Sequence, residues 1–242
     1  MNSDVSDVVP QYFNETSKYK NRKGLRNPED KIALDYLLSR CNNTSRVLEV
    51  GGGSGAFLDI VLQNTSVDRA VNCEIAAEAY REQANSQIIL VEGSVLNLPF
   101  ENESFDWIVM KNVLHHLVGE TVDDSKRNVE RALSELSRVK SEKGHVVIIE
   151  QYNKYRPFSM MIFYLTKFLS MAGIGLNFFE CEKNVIVSFL TPLEIITWTK
   201  KIFSKSEIEY EIRPLAVRRR FKYTLLMSKV GNVVAFISPS NQ

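Results

Sequence analysis

The chain has 242 residues, 44% of them hydrophobic and 24% charged, with a formal net charge of +1. This length suits one well-buried α/β domain and is short for two, and the composition is ordinary for a soluble globular protein. The near-zero charge gives no general attraction for a polyanion, and three scattered cysteines without a C-x-x-C pair argue against a disulfide framework or a zinc site.

The first forty residues are expected to form an N-terminal helical cap. The opening segment MNSDVSDVVP is polar and acidic, unlike a secretory signal peptide, so we expect a cytoplasmic protein. Asn27-Pro28-Glu29-Asp30 has the composition of a helix start, with a capping residue, a proline and two acids. The predicted helix runs to about Arg40 and buries Ile32, Leu34 and Leu37 or their neighbours.

The next hundred residues alternate between strand-like and helix-like patterns. Five short apolar runs predict strands at 47–50, 70–73, 88–91, 105–110 and 145–149. The predicted helices between them have apolar faces made by Phe57, Leu58, Val61 and Leu62, by residues 77–84, and by Val129, Ala132, Leu133, Leu136 and Val139, with Gly144 closing the last helix. This alternation predicts a doubly wound, mostly parallel sheet with helices on both faces.

A strongly apolar segment follows the fifth predicted strand. Lys167 splits residues 158–181 so that the uncharged runs are 157–166 and 168–179, each shorter than the roughly 20 residues that a membrane-spanning helix needs. We therefore expect a helical insertion over 152–190 that acts as a lid, with peripheral membrane contact through 158–181 as another use of the same surface. Beyond it, Thr191-Pro192-Leu193-Glu194 predicts a helix reaching about Phe203, and 207–213 and 233–237 predict two strands, the last of them antiparallel.

The stretch VLEVGGGSG at 47–55 is the most informative part of the sequence. Four glycines in five positions follow a predicted strand and precede a helix, at the sheet edge where open parallel sheets bind ligands. The dinucleotide pattern G-x-G-x-x-G/A fits Gly51, Gly53 and Ala56, with Glu74 near the expected acidic position. An acid placed two residues before the first glycine fits a second cofactor class better.

Glu49, Gly51, Gly53 and Gly55 resemble the first motif, (D/E)-x-G-x-G-x-G, of the class I S-adenosylmethionine-dependent methyltransferases. The segment LVEGSVLNLPFENESFDWIVMKNVLHHL at 90–117 is similar to the region between the third and fourth strands of that family. The resemblance implies a Rossmann-like fold formed by a single domain over 1–242, with S-adenosyl-L-methionine as cofactor. In style it is nearest to the small-molecule branch, which includes quinone and sterol methyltransferases.

The resemblance also implies roles for particular residues around the cofactor. The loop residues Gly51, Gly52, Gly53 and Gly55, with Glu49 before them, would pack against its methionyl and ribose parts. Glu74 would accept hydrogen bonds from the ribose hydroxyls, for which a two-oxygen acceptor is well suited. Ser94 stands where the family usually has an aspartate facing the adenine, so the backbone of Val95 would contribute there, and Lys111 would lie near the methionine portion or point to solvent.

Candidate residues for the acceptor side lie after the fourth and fifth predicted strands. His115 and His116 are candidate bases, or else they cap a helix or pack beneath the cofactor. Adjacent histidines without a third ligand make a poor metal pair, so no metal is expected. Glu150 and Tyr152 follow strand five, and Tyr12, Phe13 and Phe163 are expected to contact the acceptor from the lid.

The predicted function is methyl transfer from S-adenosylmethionine to an apolar small molecule of unidentified structure. An RNA or protein methyltransferase and a non-catalytic cofactor-binding partner protein are the alternatives. A short-chain dehydrogenase is disfavoured because the only Y-x-x-x-K spacing, from Tyr19 to Lys23, precedes the glycine loop. Nucleic acid is not a favoured partner, since 111–114 reads KNVL where base-amine methyltransferases carry N-P-P-Y or D-P-P-Y. Both a monomer and a homodimer remain open.

Overall fold

Seven strands form one sheet through the part of the chain that the computed structural model describes, residues 28–77, 80, 85–174, 185–215 and 229–240. The strands are β1 (Val47–Val50), β2 (Ala70–Glu74), β3 (Ile88–Glu92), β4 (Phe105–Lys111), β5 (Lys140–Asn153), β6 (Ser206–Pro214) and β7 (Val230–Pro239). The helices are α1 (Pro28–Leu38), α2 (Ala56–Asn64), α3 (Val122–Val139), α4 (Arg156–Met171) and α5 (Pro192–Ile202).

The strand order is β3-β2-β1-β4-β5-β7-β6. Strands β1 to β5 pair in parallel, whereas β7 runs antiparallel to both β5 and β6. The order reverses between β1 and β4, so the loops after these two strands diverge and leave a crevice at the carboxyl edge of the sheet. The predicted fold class, a mostly parallel Rossmann-like sheet with an antiparallel last strand, is confirmed.

Helices cover both faces of the sheet, and neighbouring strand residues point to opposite faces. On one face, α3 and α5 pack on a core that includes Ile108 of β4 and Ile148 of β5. On the other face, α1 and α2 pack on a core that includes Val109 and Val147. In α1 the buried apolar residues are Ala33, Leu34 and Leu37, with Ile32 only half-buried. The sheet thus forms the middle layer and its carboxyl edge remains available for a site.

The prediction that Gly144 closes the third helix is wrong. Helix α3 ends at Val139, and β5 begins at Lys140. Gly144 lies inside β5, where the register against β4 shifts and a Cβ would come within 2.9 Å of the carbonyl oxygen of Phe105. The glycine is therefore needed for close backbone approach rather than for a helix end. The longer β5 also includes Glu150 and Tyr152, which the sequence had placed just past the strand.

The predicted capping box at the start of α5 is confirmed. The Thr191 hydroxyl accepts from the Glu194 backbone N–H. The predicted helix at 77–84 lies mostly outside the described residues, as do 175–184 of the predicted lid and the N-terminal Tyr12 and Phe13. Among the described residues, no helix has both the length and the apolar character needed to cross a membrane.

Candidate functional site at the carboxyl edge of the sheet

The glycine loop joins β1 to α2 in a left-handed backbone conformation. The φ angles of Gly51, Gly53 and Gly55 are 68°, 57° and 74°, a region in which any residue with a Cβ pays a steric cost. The loop is tied to the sheet by Gly51, whose N–H donates to the carbonyl of Cys73 at 2.8 Å. The repeated glycines are thus required by the backbone path of the loop.

The floor of the loop is packed too closely for any side chain at Gly52. A Cβ there would lie 2.6 Å from Oε2 of Glu49 and 2.7 Å from Oδ1 of Asn72. At Gly53, in contrast, the nearest atoms to a Cβ belong to the ring of Tyr80, at 3.6 Å. The loop therefore rests directly on two polar side chains of β1 and β2 and has less crowded space above Gly53.

A buried charge cluster lies behind the loop. Glu49 is 1% exposed, and Lys111 places its Nζ 3.3 Å from Oε1 of Glu49 and 3.3 Å from Oδ1 of Asp30 in α1. The side chain of Lys111 also covers the ring of Phe57, at 4.0 Å from the centroid, so it turns inward rather than to solvent. Two carboxylates share one ammonium, so with all three groups ionised the cluster has a net charge of −1.

Glu49 is the least satisfied member of this cluster. Neither of its oxygens accepts a well-directed hydrogen bond from the described residues. Burial raises the pKa of the Glu49 carboxyl, and the Lys111 ammonium only partly opposes this effect. A buried carboxylate that only shares one cation and accepts no well-directed hydrogen bond is unfavourable unless a further donor or cation binds it. The site can therefore accept a cationic, hydrogen-bonding group beside Glu49.

Glu74, at the end of β2, holds the loop in place. Its Oε2 accepts from the Gly53 N–H at 2.9 Å, and its Oε1 accepts from the Ala76 N–H at 3.0 Å. Burial raises the Glu74 pKa, while the backbone N–H donors lower it in part. Asn72, two residues earlier, donates to the Gly53 carbonyl at 2.8 Å. Each Glu74 oxygen still has a lone pair for a further donor.

Ser94 and Val95 follow β3 at the same edge of the sheet. The Ser94 hydroxyl accepts from the Leu96 N–H at 3.2 Å and so stabilises a tight turn, and Val95 is buried in the core. Ser94 remains half-buried. The side chain of Ser94 therefore has a structural role in the turn, and its predicted contact with adenine remains a proposal.

His115 forms a buried pair with Glu150 of β5. Nδ1 of His115 lies 2.5 Å from Oε1 of Glu150, which also accepts from the Gln151 N–H, while Oε2 accepts from the Leu114 N–H at 2.7 Å. With Glu150 ionised, Nδ1 is the donor in this hydrogen bond, which leaves Nε2 of a neutral ring as the basic nitrogen. Glu150 thus orients His115, which lies in the turn after β4.

The second histidine has a different environment. His116 lies against His115, with ring centroids 4.1 Å apart, and burial lowers its pKa well below 6.5, assisted by the neighbouring His115. A buried histidine that stays neutral is consistent with packing as well as with proton transfer. His115 is further covered by Phe189, at 5.3 Å between ring centroids. The chain beyond α4 therefore returns to this site.

Tyr152 and Phe163 are embedded in the protein. Tyr152 belongs to the main core, and its hydroxyl lies 2.7 Å from where a Cβ of Gly231 would stand. Phe163 is fully buried in a small cluster with Val118, Val122 and Ile186. Both predicted acceptor contacts therefore pack against protein side chains, with Phe163 fixing α4 to the domain.

The structure brings Glu49, the glycine loop, Glu74 and Lys111 together and places His115 with Glu150 beside them on the same edge. Sequence reasoning missed Asn72 and Asp30. Asn72 could have been found, because a polar residue inside the otherwise apolar strand AVNC pairs in register with Glu49. Asp30 looked like an ordinary helix-start acid. Among the described residues, no group of three or more potential metal ligands is present.

Comparison with known proteins gives a consistent result for this region. Residues 48–148 match the family model described as a methyltransferase domain. An uncharacterized methyltransferase, YcgJ of Bacillus subtilis, is 27% identical over 139 residues, which are 55% of this chain and 51% of that protein. The probable tRNA methyltransferase 9B of Homo sapiens is 29% identical over 115 residues, 46% of this chain and 23% of that protein. The aligned part thus spans about half of the first relative and less of the second.

Solved structures show the same fold. An S-adenosylmethionine-dependent methyltransferase from Methanosarcina mazei superposes with a TM-score of 0.60 at 17% identity, over 84% of this chain and 97% of that one. The YcgJ structure superposes with a TM-score of 0.54 at 14% identity, over 87% of this chain and all of that one. At these identities the likeness concerns the fold alone.

Proposed function

Because residues 48–148 are a methyltransferase domain of the class I, S-adenosylmethionine-dependent family, we propose that the protein transfers a methyl group from S-adenosylmethionine to an apolar small molecule. The observation that carries the proposal is the buried carboxylate of Glu49 behind the glycine loop, which accepts no well-directed hydrogen bond from the described residues and shares the Lys111 ammonium with Asp30. A cofactor with an ammonium group and a sulfonium is the kind of ligand that such a site accommodates.

The residues around the loop fit this cofactor. The net negative cluster of Asp30, Glu49 and Lys111 would hold its amino-acid end, with Glu49 receiving the ammonium and Lys111 near the carboxylate. Glu74, whose oxygens retain lone pairs beyond their bonds to the loop, would receive the ribose hydroxyls. The turn at Ser94 and Val95 would border the adenine. These assignments follow the chemistry of the donors and acceptors that the loop assembles.

When bound, the cofactor supplies a methyl group already activated by a positively charged sulfur. The chain then has two tasks, to align the acceptor and to remove a proton where the acceptor carries one. His115 is the proposed base, since Glu150 holds its Nδ1 proton and leaves Nε2 available to accept. His116, kept neutral by burial, would pack beneath His115.

The region after β5 is proposed to cover the acceptor. Helix α4 starts at the carboxyl edge of the sheet, and the chain returns from it through Ser188, whose N–H donates to the His115 carbonyl at 2.8 Å. Closing such a cover would exclude water from the reacting groups. The face of α4 toward the domain is also apolar, which favours an apolar acceptor.

Calorimetry with S-adenosylmethionine, S-adenosylhomocysteine and NAD tests the cofactor assignment. We expect micromolar binding of the first two, about −8 kcal/mol, and none of NAD. The Glu74→Ala variant should bind about ten- to hundredfold more weakly, as hydrogen bonds to a charged group contribute roughly 1.5–3 kcal/mol.

Glu92→Ala is the matched control, because Glu92 pairs in register with Glu74 at the end of β3 but is exposed. It should bind the cofactor normally. Binding of NAD without any response to S-adenosylmethionine would contradict the proposal.

A further inference from the structure

Helix α4 is apolar on two opposite faces. One face is buried against the domain through Ile162, Phe163 and Leu169. The other face carries large apolar side chains spaced three or four residues apart, so they form one continuous stripe, and two of them, Phe168 and Met171, are 64% and 78% exposed. The exposed stripe consists of Met160, Met161, Tyr164, Leu165, Phe168 and Met171. An exposed apolar stripe along one helix face is the form that groove-binding and membrane-surface helices take.

Among the described residues, the charges on α4 and at its start are positive or neutralised. From Lys154 to Ile174 the sequence contains no acidic residue. Lys154 and Lys229 are both exposed and lie together at the start of α4, where the Lys154 N–H donates to the Lys229 carbonyl at 2.9 Å. The Nζ of Lys229 lies 5.5 Å from the ring centroid of Tyr155. This end of the stripe therefore combines two cations with a half-exposed tyrosine.

The remaining cations of α4 are paired. Lys167 forms an ion pair with Glu120 at 2.8 Å, and Arg156 lies 3.5 Å from Glu194. They contribute little net charge at the border of the stripe. The two lysines therefore make the electrostatic potential at the start of α4 positive, and a positive potential favours an anionic partner.

The dimensions of the stripe argue against the other kinds of contact. A helix of 16 residues is about 24 Å long, so a stripe one helix wide (~10 Å) has a footprint of roughly 240 Å². A stable protein–protein interface needs about 800 Å² on each partner, so the stripe alone is too small to hold two copies together. The helix is also shorter than the roughly 20 residues that cross a bilayer. A helix that lies in the plane of a membrane surface needs neither a large protein interface nor the length to cross the bilayer.

We propose that α4 docks the protein on an anionic lipid bilayer, with the stripe in the headgroup region and Lys154 and Lys229 on the lipid phosphates. Tyr155 would sit at the same level, since tyrosine prefers the boundary between lipid and water. Basic residues combined with one apolar helix face are typical of interfacial binding, and lipid charge then controls its strength. This inference stands independently of the proposed methyl transfer.

Vesicle co-flotation of the full chain tests the proposal directly. Vesicles of phosphatidylcholine alone are compared with vesicles of phosphatidylcholine mixed with phosphatidylglycerol, at low and high salt. We expect binding to the anionic vesicles, at least tenfold stronger than to the neutral ones and weakened by salt. Replacing Lys154 and Lys229 by glutamine should each lower the partition coefficient about fivefold, the effect of one cation near an anionic surface.

The double variant Phe168→Glu and Met171→Glu should lower vesicle binding at least tenfold, because it places two acids in the stripe. Leu193→Glu is its matched control, since Leu193 is an equally exposed apolar residue (72%) at the start of α5. Unchanged cofactor calorimetry and thermal melting show that each variant is folded.

The inference would be overturned if the wild-type chain did not bind anionic vesicles, if it bound neutral ones equally well, or if the Leu193 control lost binding to the same extent. A dimer in light scattering that the Phe168→Glu, Met171→Glu variant dissolves would also overturn it, since the stripe would then join two copies. Failure of vesicle binding would leave cofactor binding unaffected, so the two proposals are tested separately.

Discussion

Acidic residues at the two edges of the sheet have opposite environments. At the amino edge, Asp106 accepts from Arg46 through Nε at 3.0 Å and Nη2 at 2.8 Å, and from the Ser141 hydroxyl at 2.9 Å. At the carboxyl edge, Glu49 is buried and accepts no well-directed hydrogen bond from the described residues. Protein donors satisfy the first carboxylate, whereas the second has only the Lys111 ammonium that it shares with Asp30.

The pKa shifts have the same contrast. The Arg46 side chain beside Asp106 lowers the pKa of that carboxyl to about 2, so its charge is favoured by the fold. Burial raises the pKa of Glu49 and of Glu74, so their charges are disfavoured by the fold. Ionisable groups whose charged form the fold disfavours are found most often at functional sites. The comparison therefore separates a stabilising edge from a ligand-binding edge, and three variants test it.

Gly53→Val should have the largest effect. Valine would have to adopt the left-handed backbone of this position, at a cost of roughly 1–2 kcal/mol. Its side chain would project toward Tyr80 on the less crowded side of the loop. We expect at least about a hundredfold loss of cofactor affinity by calorimetry. Gly173→Val is the control, because Gly173 also has a positive φ, 65°, but lies after α4. If both variants lost stability equally and neither lost cofactor affinity, the loop would be only structural.

Glu49→Gln should weaken cofactor binding without weakening the fold. Loss of the charge removes interactions worth roughly 1.5–3 kcal/mol, or about ten- to hundredfold in affinity. The free energy of unfolding should stay constant or rise, since a buried charge is no longer desolvated. Calorimetry and urea denaturation measure the two quantities on the same preparation. Lower stability with unchanged affinity would place Glu49 in the same class as Asp106.

The wild-type protein should also show the pH dependence of this carboxyl. Its folded pKa is raised above the ordinary 4.5, so its contribution to stability is present below pH 4.5 and is lost as the pH rises through the folded value. Cofactor affinity should increase over the same range as Glu49 ionises. In Glu49→Gln both pH dependences should be reduced.

Asp106→Asn should have the smallest effect, and it should act on stability alone. The pair with Arg46 is partly exposed, so we expect a loss of about 1 kcal/mol at neutral pH after solvent screening. The pKa is lowered from 3.8, so this stability is present above pH 3.8 and is lost as the pH falls toward about 2. Urea denaturation across that range measures it, with the exposed Asp68→Asn as control. A change in cofactor affinity would break the distinction between the two edges.

The sequence by itself determined the fold class and the position of the glycine loop. Alternating apolar runs specify parallel strands and helices through local periodicity, as for Val47–Val50 and Ala70–Glu74. The glycines at 51, 53 and 55 indicated a ligand-binding loop, and their positive φ angles show why other residues would be strained there. The start of α5 was also readable, since its capping box depends on residues three positions apart. All of these are properties of short segments.

Only the tertiary structure decided which side chains meet. Asp30 and Lys111 are 81 positions apart in the sequence and join at Glu49 because α1 packs beside the ends of β1 and β4. Glu150 reaches His115 because β5 extends farther than its apolar run suggested. Which face of α4 is buried was equally undetermined, since both faces are apolar and only packing against residues such as Val118, Val122 and Ile186 selects between them. Contacts between distant segments depend on how whole elements pack, and no local pattern contains that information.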